Sequence, residues 1–344
     1  MVSTTDGTDP ARVSALYDDF GRHWAHGTSP LYEEWALGIA GDRELAERIA
    51  PLARRLRQPN LLFAAARWAG SPLAPFARWR EWLLANWERV LDVARERSTQ
   101  TNEPNRCATL LPVLSRIDGP VALLEVGAAA GLCLFPDRYS YEYSTPSGIR
   151  RLAPTAGEAR VSLACRVDAD GVVPDRLPEV VWRRGVDLNP IDARDPEEVE
   201  WLATLVWPGP DHDARVARLR AAAAVAASDP PDIIRGDLLE TVTDAAAATP
   251  PEATLVVFHS AVLLYLDAAG RARFADIMDG LAAAVDRRVV WLSNESRGTL
   301  TAVDARVPAD LDTLQRFIQS VDGVPIALAG QHGATYETAP FRGR

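Results

Sequence analysis

The chain has 344 residues, 47% of them hydrophobic, and its 47 acids against 37 bases give a net charge of −10. That is enough apolar material for one large domain or two. All the cations are arginine, and so negative a chain has little affinity for a phosphate backbone, which excludes nucleic acid as the expected substrate.

Residues 1–115 read as an α-helical cap. Helical periods separated by breakers cover 11–24, 31–40, 42–57, 60–69, 74–97 and 105–117, and Pro30, Pro51, Pro59, Pro72 and Pro75 mark turns or first-turn positions. Trp79, Trp82 and Leu83 fall at i, i+3 and i+4, with Trp87 and Val90 beyond them. Such a broad aromatic face anchors a core or an interface, or stacks a substrate. A polar cluster, Asn102 to Arg106, precedes the first strand. Asn102, Glu103 and Arg106 are candidates for facing a cleft, although capping and ion pairing account equally well for polar residues there.

Residues 116–344 carry the strand signals. VALLEVGAAAGLCL at 121–134 is an apolar run that closes on Glu125 and breaks into Gly127 and Gly131, as a buried parallel strand entering a glycine turn does. A dinucleotide-binding turn would place a glycine where Ala129 stands, so a pyrophosphate fits poorly. Asp187 follows Glu125 by 62 residues (187 − 125), whereas a strand, helix and strand need about 30. An insertion at about 137–179 fills the difference. In it Tyr139, Tyr141 and Tyr143 alternate with polar residues, and 161–167 is another strand candidate. We read a small β excursion over the sheet, with Tyr139 and Tyr141 either lining a substrate pocket or packing a hairpin face.

Further strands follow, each ending on polar residues: 180–186 into Asp187-Leu188-Asn189, 232–235 into Gly236-Asp237, 255–258 into His259-Ser260, and 289–292 into Ser293-Asn294-Glu295. Ligands of open α/β sheets bind outside such carboxyl ends. Between them lie a helix capped by Asp195 and running through Val206, an alanine-rich helix at 214–227, and a helix at 268–285 capped by Asp267. The stripe Phe274, Ile277, Met278 and Leu281 gives the last of these a core face. Residues 325–338 contain the strand-like IALA and a second extended piece, consistent with a final hairpin.

Together these features resemble the class I S-adenosylmethionine-dependent methyltransferase fold over roughly residues 116–300. The spacing Glu-x-Gly-x-x-x-Gly is similar to the first motif of that family. The resemblance implies a Rossmann-like, mostly parallel sheet flanked by helices, with the helical cap as a lid over S-adenosylmethionine. It places Glu125, Gly127, Ala129 and Gly131 by the amino-acid part of the cofactor, and Asp187, with Asn189 beside it, at the ribose. Gly236 and Asp237 then face the adenine amino group, and His259 and Ser260 border the methyl-transfer site. The segments EVGAAAGL, DRYSYEY, RRGVDLNPID, LVWP and VVFHSAVLLYL also resemble an uncharacterised bacterial family described only as a domain of unknown function.

The expected activity is methyl transfer to a small molecule. His259 is the candidate general base, against the rival reading of a satisfied structural histidine. Tyr265 is expected in the core or facing the cofactor, and His332 is a secondary candidate. The alternative is a non-catalytic cofactor- or ligand-binding protein that keeps the fold. A hydrolase is disfavoured because no Gly-x-Ser-x-Gly elbow occurs. Cys107, Cys133 and Cys165 have no paired spacing, so neither a disulfide framework nor a metal is expected. No apolar run reaches the roughly 18 residues that span a membrane and MVSTTDGTDP lacks signal-peptide character, so a cytoplasmic protein without a membrane partner is expected.

Overall fold

Helix termini in the first hundred residues are set by short polar side chains. Asp9 accepts from Ala11 N at 2.9 Å to start α1 (Pro10–Asp19), Ser29 caps α2 (Pro30–Gly41), and Asp42 accepts from Leu45 N at 2.9 Å to start α3 (Arg43–Ile49). Proline at the first helical position opens α4 (Pro59–Trp68). The single helix expected over 74–97 is broken into α5 (Phe76–Ala85) and α6 (Trp87–Glu96). Asn86 between them leaves helical geometry, and its side chain joins its own backbone N in donating to Trp82 O, which caps α5.

The computed structural model describes residues 9–100, 102–155 and 159–341. By contacts they fall into two compact units: a helical one containing residues up to 100 together with 200–217, and a sheet unit containing 102–199 and 218–341. The division therefore differs from a cut at 115, because α7 (Cys107–Leu114) belongs with the sheet. In the helical unit Trp35 and Trp79 stack with centroids 4.3 Å apart, Phe63 meets both edge-on, and Trp35 Nε1 donates to Ala74 O. The aromatic stripe read from the sequence thus builds a core: Trp79 and Leu83 are fully buried.

The sheet unit holds one mixed sheet of eleven strands. In chain order they are β1 (Pro120–Val126), β2 (Ser140–Thr145), β3 (Gly148–Leu152), β4 (Ser162–Val167), β5 (Glu179–Asp187) and β6 (Asp232–Arg235). Then come β7 (Thr254–Ser260), β8 (Val289–Glu295), β9 (Arg316–Val321), β10 (Val324–Gly330) and β11 (Thr335–Glu337). The order across the sheet is β3-β2-β4-β11-β10-β9-β8-β7-β1-β5-β6, and the run β8-β7-β1-β5-β6 is parallel throughout. Helices α8 (Pro196–Leu205) and α9 (His212–Ser228) connect β5 to β6, α10 (Leu238–Ala247) connects β6 to β7, α11 (Ala268–Val285) connects β7 to β8, and α12 (Thr301–Asp304) leads from β8 toward β9. One face of the sheet buries Leu124, Val257 and Trp291 against Phe274, Met278 and Leu281 of α11. Among the described residues no helix is long and apolar enough to cross a membrane.

Two expectations are corrected here. The insertion does not lie over the sheet; β2, β3 and β4 extend it edge to edge, joined through a parallel pairing of β4 with β11. Tyr139, Tyr141 and Tyr143 are sealed, and their hydroxyls donate to Leu132 O, Pro136 O and Ala108 O, so Tyr139 and Tyr141 pack the extension and line no pocket.

Candidate functional site

The parallel run reverses direction between β1 and β7: from β1 the chain builds outward through β5 and β6, and from β7 it builds the other way to β8. Such a switch point opens a crevice at the strands' carboxyl ends. Both loops entering it are held in strained backbone. Gly127, Ala129 and Gly131 have φ of 73°, 48° and 67°, and Ala261 beyond β7 has φ of 58°. An alanine held at positive φ costs about 1–3 kcal/mol, a cost that clusters at functional sites.

The glycine turn spends its backbone donors within the chain. Gly127 N and Ala128 N bond Val186 O, Ala129 N bonds Asp187 Oδ2 at 2.8 Å, Ala130 N bonds Asn102 Oδ1 at 3.0 Å, and Gly131 N bonds Ala128 O at 2.6 Å. The crossover continues as a 3-10 turn, Leu132–Leu134, instead of an α-helix. The turn therefore has neither free amides nor a helix N-terminus to hold a phosphate. Val262 fills the space that a Cβ at Gly127 would need, and Pro231 and Leu134 crowd Gly131. Close packing alone thus requires both glycines.

Beside the turn Glu125 Oε2 and Asn102 Nδ2 are buried without a partner, as are Glu295 Oε2 and Asn105 Oδ1 in the surrounding frame. Burial pushes the Glu125 carboxyl well above the usual carboxylate range, with Cys133 adding to the rise and the Arg106 guanidinium opposing it. Asp187 is partly buried and accepts Ala129 N on one oxygen and Asn189 N on the other, while its carbonyl receives Gly236 N. Gly236 has no room for a Cβ beside Thr241, and exposed Asp237 caps α10 through Leu239 N at 2.8 Å. Glu103 is gripped by Arg218 at 2.9 and 3.0 Å, and Arg106 donates to Gln331 O and Ser260 O beneath Phe317. Burial lowers the pKa of Arg106, and the surrounding Cys133, Glu103, Glu295 and Glu125 work against that. Glu103 and Arg106 thus belong to the frame of the crevice. His332 lends its carbonyl to Asn105 Nδ2.

The expected general base is corrected by its surroundings. His259 is fully buried, and Trp291 Nε1, which can only donate, bonds its Nε2 at 3.0 Å. The proton is therefore on Nδ1, 2.7 Å from Glu295 Oε1. With both nitrogens engaged inside the protein, the imidazole ties β7 to β8. Sequence reasoning missed its partners, Trp291 and Glu295; the signal was Glu295 itself, an acid at the end of β8. That carboxylate also accepts Val262 N at 2.9 Å and Leu263 N at 3.2 Å, so it fixes the loop beyond β7. Ser260 Oγ accepts from Asn294 Nδ2 at 3.3 Å.

A cavity of 210 Å³ lies beside the glycine turn, lined by Ala130, Ile191, Asp192, Arg194 and Ile233 among others. A larger one of 980 Å³ is lined by Arg138, Arg151, Asp175, Arg176 and Glu179 among others, and by none of the residues expected at the site. No group of three or more His, Cys, Asp or Glu among the described residues is placed to hold a metal ion.

Fold and crevice together define a mixed α/β protein whose mostly parallel, helix-flanked sheet has a polar switch point. The chain belongs to the family described as uncharacterized protein conserved in bacteria (DUF2332), which it matches over residues 68–337. No curated protein and no solved structure matches it.

Proposed function

We propose that the protein binds S-adenosylmethionine and transfers its methyl group to a small molecule. The observation that carries the reading is the pair of unpartnered atoms beside the glycine turn, the acceptor Glu125 Oε2 and the donor Asn102 Nδ2. An α-amino-acid group presents an ammonium to the first and a carboxylate to the second. The turn's spent amides agree with a cofactor that carries no phosphate. Asp187 keeps a second lone pair on each oxygen for ribose hydroxyls, and Asn189, Gly236 and Asp237 stand at the neighbouring strand ends for the adenosine. The negative net charge supports a small-molecule acceptor over nucleic acid.

When bound, the cofactor supplies an electrophilic methyl on a sulfonium. The chain's part is then to hold and align the reactants and to exclude water, since an in-line displacement gains most from orientation. Burial favours the uncharged form of Glu125, and an ammonium placed beside it would favour the carboxylate, so ligand binding is expected to release a proton. No proton transfer is assigned to His259. Its sealed ring also favours a second reading, a non-catalytic protein that keeps the ligand site.

S-adenosylhomocysteine at about 100 times its dissociation constant adds about 2.7 kcal/mol to folded-state stability, which reads as a rise in melting temperature. The expected result is a rise with S-adenosylhomocysteine, none with NAD, and none in Asp187→Ala. Calorimetry with no heat and no stabilisation at millimolar sulfur ligand would remove the reading. Binding without turnover of S-adenosylmethionine over a broad acceptor panel would favour the second one.

A further inference from the structure

Glu125 Oε2 and Asn102 Nδ2 are sealed from solvent, so a ligand reaches them only when part of the surrounding wall moves. Two parts of that wall compare directly. The first is the loop beyond β7, on which Tyr265 stands exposed and not in the core or on the cofactor as expected. Glu295 holds Val262 N and Leu263 N of this loop, and Arg271 Nε bonds the carbonyls of Leu263 and Leu266 at 3.1 Å. Val262 is wedged against Gly127 and Leu263 is fully buried. Lifting this loop would expose apolar surface to water.

The second part is the segment 102–106, which crosses the switch point. At one end Asn102 Oδ1 accepts from Ala130 N, beyond β1, and at the other Arg106 Nη1 donates to Ser260 O, at the end of β7, both at 3.0 Å. Between these ties Cys133 Sγ donates to Glu103 O at 3.6 Å, and Arg218 of α9 grips the Glu103 carboxylate. The backbone of Asn105 lies so close to the β10–β11 turn that a Cβ at Gly333 would overlap its carbonyl. Pro104 is the one apolar side chain in the segment. Water replaces hydrogen bonds when they part, and a buried ion pair recovers hydration for the attraction it loses, so this segment costs less to lift than the loop beyond β7.

We infer that residues 102–106 form a strap that lifts from the strand ends to admit the ligand and closes over it, with the Glu103–Arg218 pair as its latch. This rests on the ligand site proposed above. Closure completes the site as well as sealing it, because Asn102 brings its own Nδ2. The chain carries a reporter of the motion: Cys133 is buried beneath Glu103, whereas Cys165 is buried in β4 and is reached only when the sheet itself opens.

The full chain is treated with iodoacetamide, and alkylation of each cysteine is followed by mass spectrometry with and without S-adenosylhomocysteine. Arg218→Ala raises the rate at Cys133 about tenfold and leaves that at Cys165 unchanged; Glu103→Gln does the same and carries the test if Arg218→Ala does not fold. In the parent, S-adenosylhomocysteine at about 100 times its dissociation constant slows Cys133 about a hundredfold, because the ligand holds the strap closed. An unchanged rate at Cys133 in both variants, or a rise shared equally by Cys165, overturns the inference. Latch-dependent alkylation of Cys133 in a protein that ignores S-adenosylhomocysteine overturns the cofactor reading instead and leaves the strap standing.

Discussion

The core of the helical unit and the strand ends of the sheet unit use buried residues for opposite purposes. Around Trp35, Trp79 and Phe63, rings fill one another's spaces and the backbone runs in regular helices. At the strand ends the chain buries Glu125 Oε2 and Asn102 Nδ2 without partners, as the helical core does Trp79 Nε1 and Tyr17 OH, but here it also holds Ala129 and Ala261 at positive φ. The first arrangement is dominated by apolar contact; the second adds local backbone strain, which clusters at functional sites.

The largest expected effect tests the stabilising side. Trp79→Ala should lower the unfolding free energy by about 3–5 kcal/mol in a denaturant titration, because it empties the centre of an aromatic cluster. Next, His259→Ala should cost about 2–4 kcal/mol, since it strands the Trp291 donor and removes one bond from Glu295. A variant that stayed fully stable yet lost turnover would move His259 back to the chemistry and blur the comparison.

Glu125→Gln tests the opposite sign. The folded state holds the Glu125 carboxyl above its unfolded value, so between about pH 4 and the raised folded value it keeps a proton that the unfolded chain releases. Stability from this group is complete below that window and falls as pH rises through it. The Gln variant should therefore melt higher than the parent at pH 7, with the gap closing as the pH falls below about 4. A variant that melts lower at pH 7 would show Glu125 to be a structural acid. The smallest effect belongs to Ala129→Gly, which should be neutral or stabilising by up to about 1 kcal/mol, while Ala224→Gly on the exposed side of α9 loses about that much.

What the sequence made legible follows from periodicity. Buried parallel strands read as apolar runs ending on polar residues, so β1, β5, β6, β7 and β8 and their carboxyl ends were readable. The capping acids Asp195 and Asp267 were readable for the same local reason, and they bond Glu197 N and Gly270 N at 2.8 and 2.7 Å. β9 was not readable, because its buried residues include Gln319 and Ser320, whose partners Thr109, Asn294, Tyr336 and Ser293 lie elsewhere in the chain. His259 shows the same limit at the site: its place at a strand end is a local fact, but what Trp291 and Glu295 do to its nitrogens is a tertiary one. The loop after β7 likewise takes its shape from the distant carboxylate of Glu295, which accepts Val262 N and Leu263 N.

The seam between β4 and β11 carries a consequence for how the sheet comes apart. Among the described residues Thr335 with Arg166 and Tyr336 with Val167 pair across it, Arg166 N bonds Ala334 O, and Asp168 accepts from Thr338 N, Thr338 Oγ1 and Ala339 N, and these contacts close a span of the chain running from the insertion to the last strand. A closure between parts so far apart in the chain loses freedom before its contacts repay it, so it is expected to form late. The three outer strands then behave as a cooperative block of their own, with amides that exchange with deuterium sooner than those of β1 and β7.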